Sequence, residues 1–249
     1  MNPLELECRW NFADADFDAD DDLVALGADL EPATIVGAYA QGVFPMGLGE
    51  GGGEPLGWWS PLKRGVLRRG AFHVSRSLRR SSRTMEVSVD TAFDDVVAAC
   101  ADPSRDGAWI TPAVASAYGA LHRLGVAHSI EVRQDGELVG GLYGLALGGL
   151  FAGESKFHVA TDASKVALWA LSEVVFAEPG PRLIDVQWRT DHLASLGVTT
   201  MERPAYRDAV AHLVASPPIA GLVPGARVPL GNRQSQEIPP DPWRSLSLG

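Results

Sequence analysis

Apolar positions fall into short stretches whose spacing changes along the chain, and the changes mark the elements. From Leu23 to Pro45 the pattern predicts one short helix: Pro32 suits a first helical position, Ile35 and Tyr39 share a face, and Gly42 ends it. Further on, Phe93, Val96, Val97 and Cys100 make a helical stripe that Asp90 or Thr91 can cap. Thr111 with Pro112 opens another helix, striped by Val114, Tyr118, Leu121 and Leu124 and stopped at Gly125. The period then drops to two. Residues 127–133 alternate around Ile130 and Val132, Asp135-Gly136 signals a tight hairpin, residues 138–146 return, and Gly148-Gly149 turns into a third strand from Leu150. A helix from Ser164 to about Phe176 follows, with Val166, Leu168, Leu171 and Val175 on one side and Asp162 as cap.

Leu183-Ile184-Asp185-Val186-Gln187 reads as a buried strand with two polar exceptions. Alternation predicts Asp185 and Gln187 on one face, roughly 6.6 Å apart, with Ile184 and Val186 turned into the core. A carboxylate and an amide on an apolar strand cost free energy without partners, so this pair is either a satisfied structural unit or a site. The element order predicts an α+β fold. A mixed sheet of acyltransferase type, with flanking helices, follows a small N-terminal domain. Expected boundaries are 1–62, 63–222 and 223–249. The first includes a flexible glycine-rich linker at residues 47–57, and the last is a mobile proline-rich tail.

A hydrophobic fraction of 46% over 249 residues supports a substantial core. Net charge is −10, which disfavours polyanion partners overall, but the charge is uneven. Residues 61–85 hold Lys63, Arg64, Arg68, Arg69, Arg76, Arg79, Arg80 and Arg83 and no acid, whereas residues 14–22 are rich in aspartate. Such a stripe is either a solvated face or a local seat for nucleic acid. Two cysteines make neither a disulfide framework nor a metal cluster, and the acidic start lacks the signature of a secretion leader. The expectation is a cytoplasmic protein with no membrane span, no metal and no cofactor.

Two motif look-alikes fail, and a third pattern is missing. Gly47-Leu48-Gly49-Glu50-Gly51-Gly52 has the dinucleotide spacing, but no predicted strand precedes it and no helix follows. Gly153-Glu154-Ser155-Lys156-Phe157 lacks the fifth-position glycine of a nucleophile elbow. The six histidines show no metal spacing. Glu154 ends a glycine-rich apolar strand, so its carboxylate is either an ordinary exposed strand end or part of a site. The stretch before Ser164 contains no glycine, which disfavours the pyrophosphate cradle of a coenzyme A donor.

Many further blocks carry a family likeness. They are Leu26-Gly27-Ala28-Asp29-Leu30 with Pro32, Ala38-Tyr39 with Gly42-Val43-Phe44-Pro45, Trp58-Trp59-Ser60-Pro61, His73-Val74-Ser75-Arg76-Ser77 and Trp109-Ile110-Thr111. His128-Ser129-Ile130-Glu131-Val132, Leu138-Val139-Gly140-Gly141-Leu142-Tyr143-Gly144, Gly153-Glu154-Ser155, Ala163-Ser164-Lys165, residues 183–187 and Asp191-His192-Leu193-Ala194-Ser195-Leu196-Gly197 complete them. In order and spacing, from about Leu23 to Tyr206, the chain resembles the leucyl/phenylalanyl-tRNA–protein transferases.

The resemblance implies a C-terminal acetyltransferase-like (GNAT) domain. It implies transfer of Leu or Phe, with Met as a further candidate, from aminoacyl-tRNA to the N-terminal Arg or Lys of acceptor proteins, which marks them for N-degron degradation. It assigns catalysis to Asp185, Gln187 and Glu154, and stacking on the terminal adenosine to Trp109 and Met46. It places the aminoacyl pocket at Leu142, Phe151, Leu168 and Ile184, and it gives the basic stripe tRNA phosphates, at Lys63, Arg64, Arg76, Arg79, Arg80 and Arg83. A monomer is expected. Met46 stands where the family has Trp, and Lys156 where it has Met; a tRNA phosphate is an alternative partner for Lys156. Two rivals predict different chemistry: an acyl-CoA-dependent N-acyltransferase of the same fold, and a non-catalytic tRNA-binding protein.

Overall fold

The computed structural model describes residues 7–105 and 107–231. In chain order the elements are β1 (Leu23–Leu26), α1 (Pro32–Tyr39), β2 (Phe44–Gly47), β3 (Leu56–Trp59), β4 (Lys63–Leu67), α2 (Arg76–Ser81), β5 (Glu86–Val89), α3 (Phe93–Cys100) and α4 (Pro112–Arg123). There follow β6 (Ala127–Gln134), β7 (Glu137–Leu147), β8 (Leu150–His158), α5 (Ala163–Val175), β9 (Leu183–Asp185), α6 (Asp191–Ser195), β10 (Thr199–Glu202) and α7 (Arg203–Val214).

A three-stranded antiparallel sheet of order β1-β3-β2 forms the N-terminal layer. The main sheet has seven strands, in the order β10-β4-β9-β8-β7-β6-β5. Within it only β8 and β9 run parallel, and the connection between them carries α5, as a parallel pair requires a long crossover. Val166, Leu168 and Leu171 of α5 pack on Ile130, Val132, Leu142 and Phe151 on one face of this sheet. On the other face α3 and α4 pack on Tyr143 and Leu145. Ile35 and Tyr39 of α1 belong to that second cluster, so the N-terminal layer is welded to the main sheet by shared core.

Local chemistry explains the well-signalled elements. The Thr111 side chain accepts the Val114 N–H at the start of α4, with Pro112 at its first position, and Gly125 takes φ +71° just past its end. Asp135 and Gly136 both have positive φ, the backbone of a tight hairpin between β6 and β7.

Four expectations are corrected. Residues 47–57 are not a linker between domains but the β2–β3 hairpin. A Cβ on Gly47 would lie 2.0 Å from the Gly52 carbonyl oxygen, so glycine there serves close packing rather than flexibility. The α3 cap position is Ala92, without a side-chain cap, because Asp90 instead binds His128 (2.7 Å) and the Ser129 N–H (2.7 Å). Asp162 precedes α5 but holds Lys165 and Ser81 rather than capping the helix. The described part of the expected mobile tail is held to β5: Val89 N–H donates to Ala226, Gly225 N–H to Val89, and Val228 N–H to Val87. Residues 232–249 of that tail lie outside the described residues.

Candidate active site

A fault in the β7–β8 ladder builds the site. Tyr143 pairs with Ser155 and Gly144 with Gly153, which leaves Glu154 as the extra residue of a β-bulge. A bulge re-aims its side chain. Glu154 is thereby directed to the α1/α4 side, where the Tyr39 hydroxyl donates to Oε1 at 2.5 Å and lies 2.9 Å from the Tyr118 hydroxyl. Gln187 reaches the same oxygen through Nε2 at 3.4 Å. Burial raises the Glu154 carboxyl to a pKa of about 7; the two tyrosines pull it down and the Asp185 charge pushes it up. The hydroxyl of Tyr143, buried beside this network, has no hydrogen-bond partner among the described residues.

Asp185 occupies a different environment. Its Oδ1 accepts from Arg64 Nε (2.8 Å) and the Gln187 N–H (2.8 Å), and Oδ2 from Arg64 Nη2 (2.6 Å) and the Tyr206 hydroxyl (2.8 Å). Both Asp185 and Arg64 are fully buried. Burial opposes the Arg64 charge, yet Asp185 holds its pKa above the ordinary value. Phe44 and Tyr206 cover the guanidinium at 4.7 and 4.5 Å.

The expected side-by-side alignment of Asp185 and Gln187 is therefore corrected. The strand ends at Asp185, and Gln187 adopts φ +57°. The Asp185 carboxylate bonds the Gln187 backbone rather than projecting beside its side chain. With zero exposure and four donors already on it, Asp185 has no face toward a substrate. Arg64 is likewise corrected: a guanidinium committed to a buried carboxylate is withdrawn from any phosphate, whereas Lys63, Arg76, Arg79, Arg80 and Arg83 are exposed.

A cleft of about 290 Å³ opens beside Glu154, lined also by Cys100, Arg105, Trp109, Ser155 and Lys156. Arg105 braces it, donating to the carbonyls of Cys100 and Lys156, both at 2.6 Å. The β2–β3 hairpin closes on Trp109 so tightly that a Cβ on Gly52 would lie 2.0 Å from the Trp109 carbonyl oxygen. Met46, on β2, is half-buried, and its carbonyl accepts the Trp59 indole N–H at 2.8 Å; it does not line this cleft. Leu142, Phe151, Leu168 and Ile184 are buried together in the core cluster next to α5.

Several members were invisible in the sequence as site residues. Tyr39 and Tyr118 read as positions on helix stripes, Tyr39 also within a family-like block, and none of Tyr39, Tyr118 and Tyr206 was singled out as a site residue. Trp188 packs edge-on to Phe44 and Trp59 and donates to Asp22 at 2.7 Å, which gives the last aspartate of the acidic run a structural partner. Among the described residues, no group of three or more His, Cys, Asp or Glu side chains is placed to hold a metal ion, and no helix is long and apolar enough to cross a membrane.

The family model described as "Leucyl/phenylalanyl-tRNA protein transferase" matches residues 66–211, and its N-terminal-domain model matches residues 28–62. A leucyl/phenylalanyl-tRNA–protein transferase of Chromohalobacter salexigens is 48% identical over 210 residues, which cover 83% of this chain and 80% of the relative. Its namesake in Pseudomonas putida strain W619 is 49% identical over 199 residues, 78% of this chain and 86% of the relative. The one in Pectobacterium atrosepticum is 48% identical over 183 residues, 73% and 76% of the two chains. With both segments matched and identity near one half across most of its length, this chain belongs to the leucyl/phenylalanyl-tRNA–protein transferase family.

Proposed function

We propose that this protein transfers an aminoacyl group from tRNA to the N-terminal amine of an acceptor protein, with Leu or Phe as the group and Arg or Lys as the accepting residue. The observation that carries the reading is the bulge at Glu154. It places a carboxyl of near-neutral pKa and the Gln187 amide together, beside a cleft that Trp109 lines.

An aminoacyl ester is already activated, and an α-amine with a reference pKa near 7.7–8.0 is partly unprotonated at neutral pH. The work left is alignment and proton management. The acceptor nitrogen forms a bond to the ester carbonyl carbon, and the bond from that carbon to the adenosine ribose oxygen breaks. One proton leaves the nitrogen and one reaches the departing oxygen. In this reading the Gln187 side-chain carbonyl accepts a hydrogen bond from the attacking amine. Glu154 holds an α-ammonium group in its charged form. Asp185 is a positioning residue: through the Gln187 N–H it fixes a left-handed backbone that presents the amide. Trp109 stacks on the terminal adenine. The exposed cations Lys63, Arg76, Arg79, Arg80 and Arg83 contact tRNA phosphates without reading sequence. The protein acts as a cytoplasmic monomer.

The test is incubation with radiolabelled Leu-, Phe- and Met-tRNA and peptides beginning with Arg, Lys or Ala. Label appearing on the Arg and Lys peptides, from Leu- and Phe-tRNA first, is the expected result. Absence of transfer from every charged tRNA, or transfer from an acyl-CoA instead, overturns the reading.

A further inference from the structure

The face of β8 opposite the tyrosines carries a second cluster. Beyond the bulge, Lys156 pairs with Leu142 and His158 with Gly140, so these two side chains share a face roughly 6.6 Å apart. The first turn of α5 brings Lys165, and Ser164 Oγ lies 3.4 Å from His158 Nδ1. The start of α6 adds His192. These groups sit close enough that Lys156, Lys165 and His158 all act on His192; together with partial burial they hold its pKa below the ordinary value. Lys156 is lowered in the same direction, by burial and by Arg105.

Two lysines and two histidines gathered from three elements offer an anion both cationic and N–H donors. The carboxylate within the group, Asp162, is taken up by Lys165 at 2.8 Å and Ser81 at 2.9 Å. Asp191 begins the same short helix as His192, and Glu154 is directed to the tyrosines by its bulge. His158 and His192 are exposed, and Lys156 and Lys165 half-exposed.

The cluster's location supplies the ligand. On one side, Ser81 ends α2, whose Arg76, Arg79 and Arg80 are exposed. The segment leading into α2 is pinned to the end of α6: His73 N–H donates to Leu196 at 3.0 Å, and a Cβ on Gly197 would lie 1.9 Å from the Ala71 oxygen. On the other side, Lys156 lines the cleft with Glu154 and Trp109. The geometry points to Lys156, His158, Lys165 and His192 as a seat for the phosphodiester groups of the donor's single-stranded 3′ end, between the arginines of α2 and the cleft. This rests on the transferase reading and extends it: the cluster threads the last nucleotides toward the site, whereas the arginines hold the stem.

Two donors test it with the full chain: Phe-tRNA, and 3′-O-phenylalanyl-adenosine, which has no phosphodiester. For His192→Ala, Lys165→Ala and Lys156→Met, the ratio of KM for Phe-tRNA to KM for the adenosine donor is expected to rise about tenfold, the loss of one charge-assisted contact. For Lys165→Ala and Lys156→Met the slope of log affinity against log salt for tRNA becomes shallower by about 1. Lys165→Arg, which preserves the charge and the Asp162 pair, retains the wild-type ratio. A ratio within about twofold of wild type in all three variants, or equal losses with both donors, overturns the seat. If the wild-type protein transfers from neither donor, the transferase reading itself fails.

Discussion

Asp185 and Glu154 lie on neighbouring strands, both linked to Gln187, yet they have opposite circumstances. Asp185 is sealed, with a bidentate guanidinium, a tyrosine hydroxyl and a backbone N–H on its two oxygens. Glu154 takes its hydrogen bonds from neutral donors, Tyr39 and Gln187, and borders an open cleft. Both carboxyls are held in low dielectric, so burial alone does not separate them. The identity of the partners does: a matched cation turns the first into framework, whereas neutral donors leave the second poised to titrate near pH 7.

The largest expected effect breaks the sealed side. Arg64→Met strands a buried carboxylate and is expected to destabilise the protein by about 3–5 kcal/mol in urea denaturation. Adding Asp185→Asn recovers part of that loss, since the double variant leaves no unpaired charge. Additive losses in this cycle would mean the two groups are energetically independent.

The open side is sharpened by pH. Glu154 is mostly protonated below its folded pKa of about 7, so transfer is expected to climb as pH rises through that value. Glu154→Gln removes that limb and lowers kcat/KM by about 100-fold. Stability moves the other way. The folded carboxyl binds its proton more tightly than the unfolded one (ordinary value 4.5), so its contribution to stability falls as pH rises from about 4.5 to about 7. Thermal melts of wild type and Glu154→Gln across that range read the difference; parallel curves would remove Glu154 as the titrating group.

Smaller again is the basic face. Arg80→Ala is expected to weaken tRNA binding severalfold for every tRNA sequence and reduce the salt slope by about 1. Filter binding at several salt concentrations checks it, with a sequence-dependent loss as the contrary result. The smallest effect is Tyr143→Phe. Its hydroxyl is buried without a partner among the described residues, so deletion is expected to be neutral or stabilising by about 1 kcal/mol. A clear destabilisation would show that this hydroxyl works within the Glu154 network.

Elements whose limits are set by near neighbours were legible in the sequence. Thr111-Pro112 and Gly125 bracket α4 by capping chemistry, and Asp135-Gly136 sets the β6–β7 turn. The site was legible in part: Glu154 and Gln187 are brought together, with Asp185 behind them. What escaped depends on distant partners. The end of β9 at Asp185 follows from the Arg64 pair 121 positions away and from the left-handed turn at Gln187. The bulge at Glu154 is a mismatch between two strands, which neither strand announces alone. Arg64 looked like its basic neighbours because side-chain direction on β4 depends on which strand arrives beside it, here β9 and β10. The tail's proline content obscured its pairing, because the three backbone donors that tie it to β5 belong to Gly225, Val228 and Val89 rather than to any proline.

That pairing has a consequence for solubility. β5 is the terminal strand of the seven-stranded sheet, and residues 225–228 occupy its outer rim, with Arg227 bridged to Ser88. A strand rim left bare is a template on which a foreign chain zips. The segment works as a hem, and trimming the protein before Val223 would leave a raw border prone to self-association.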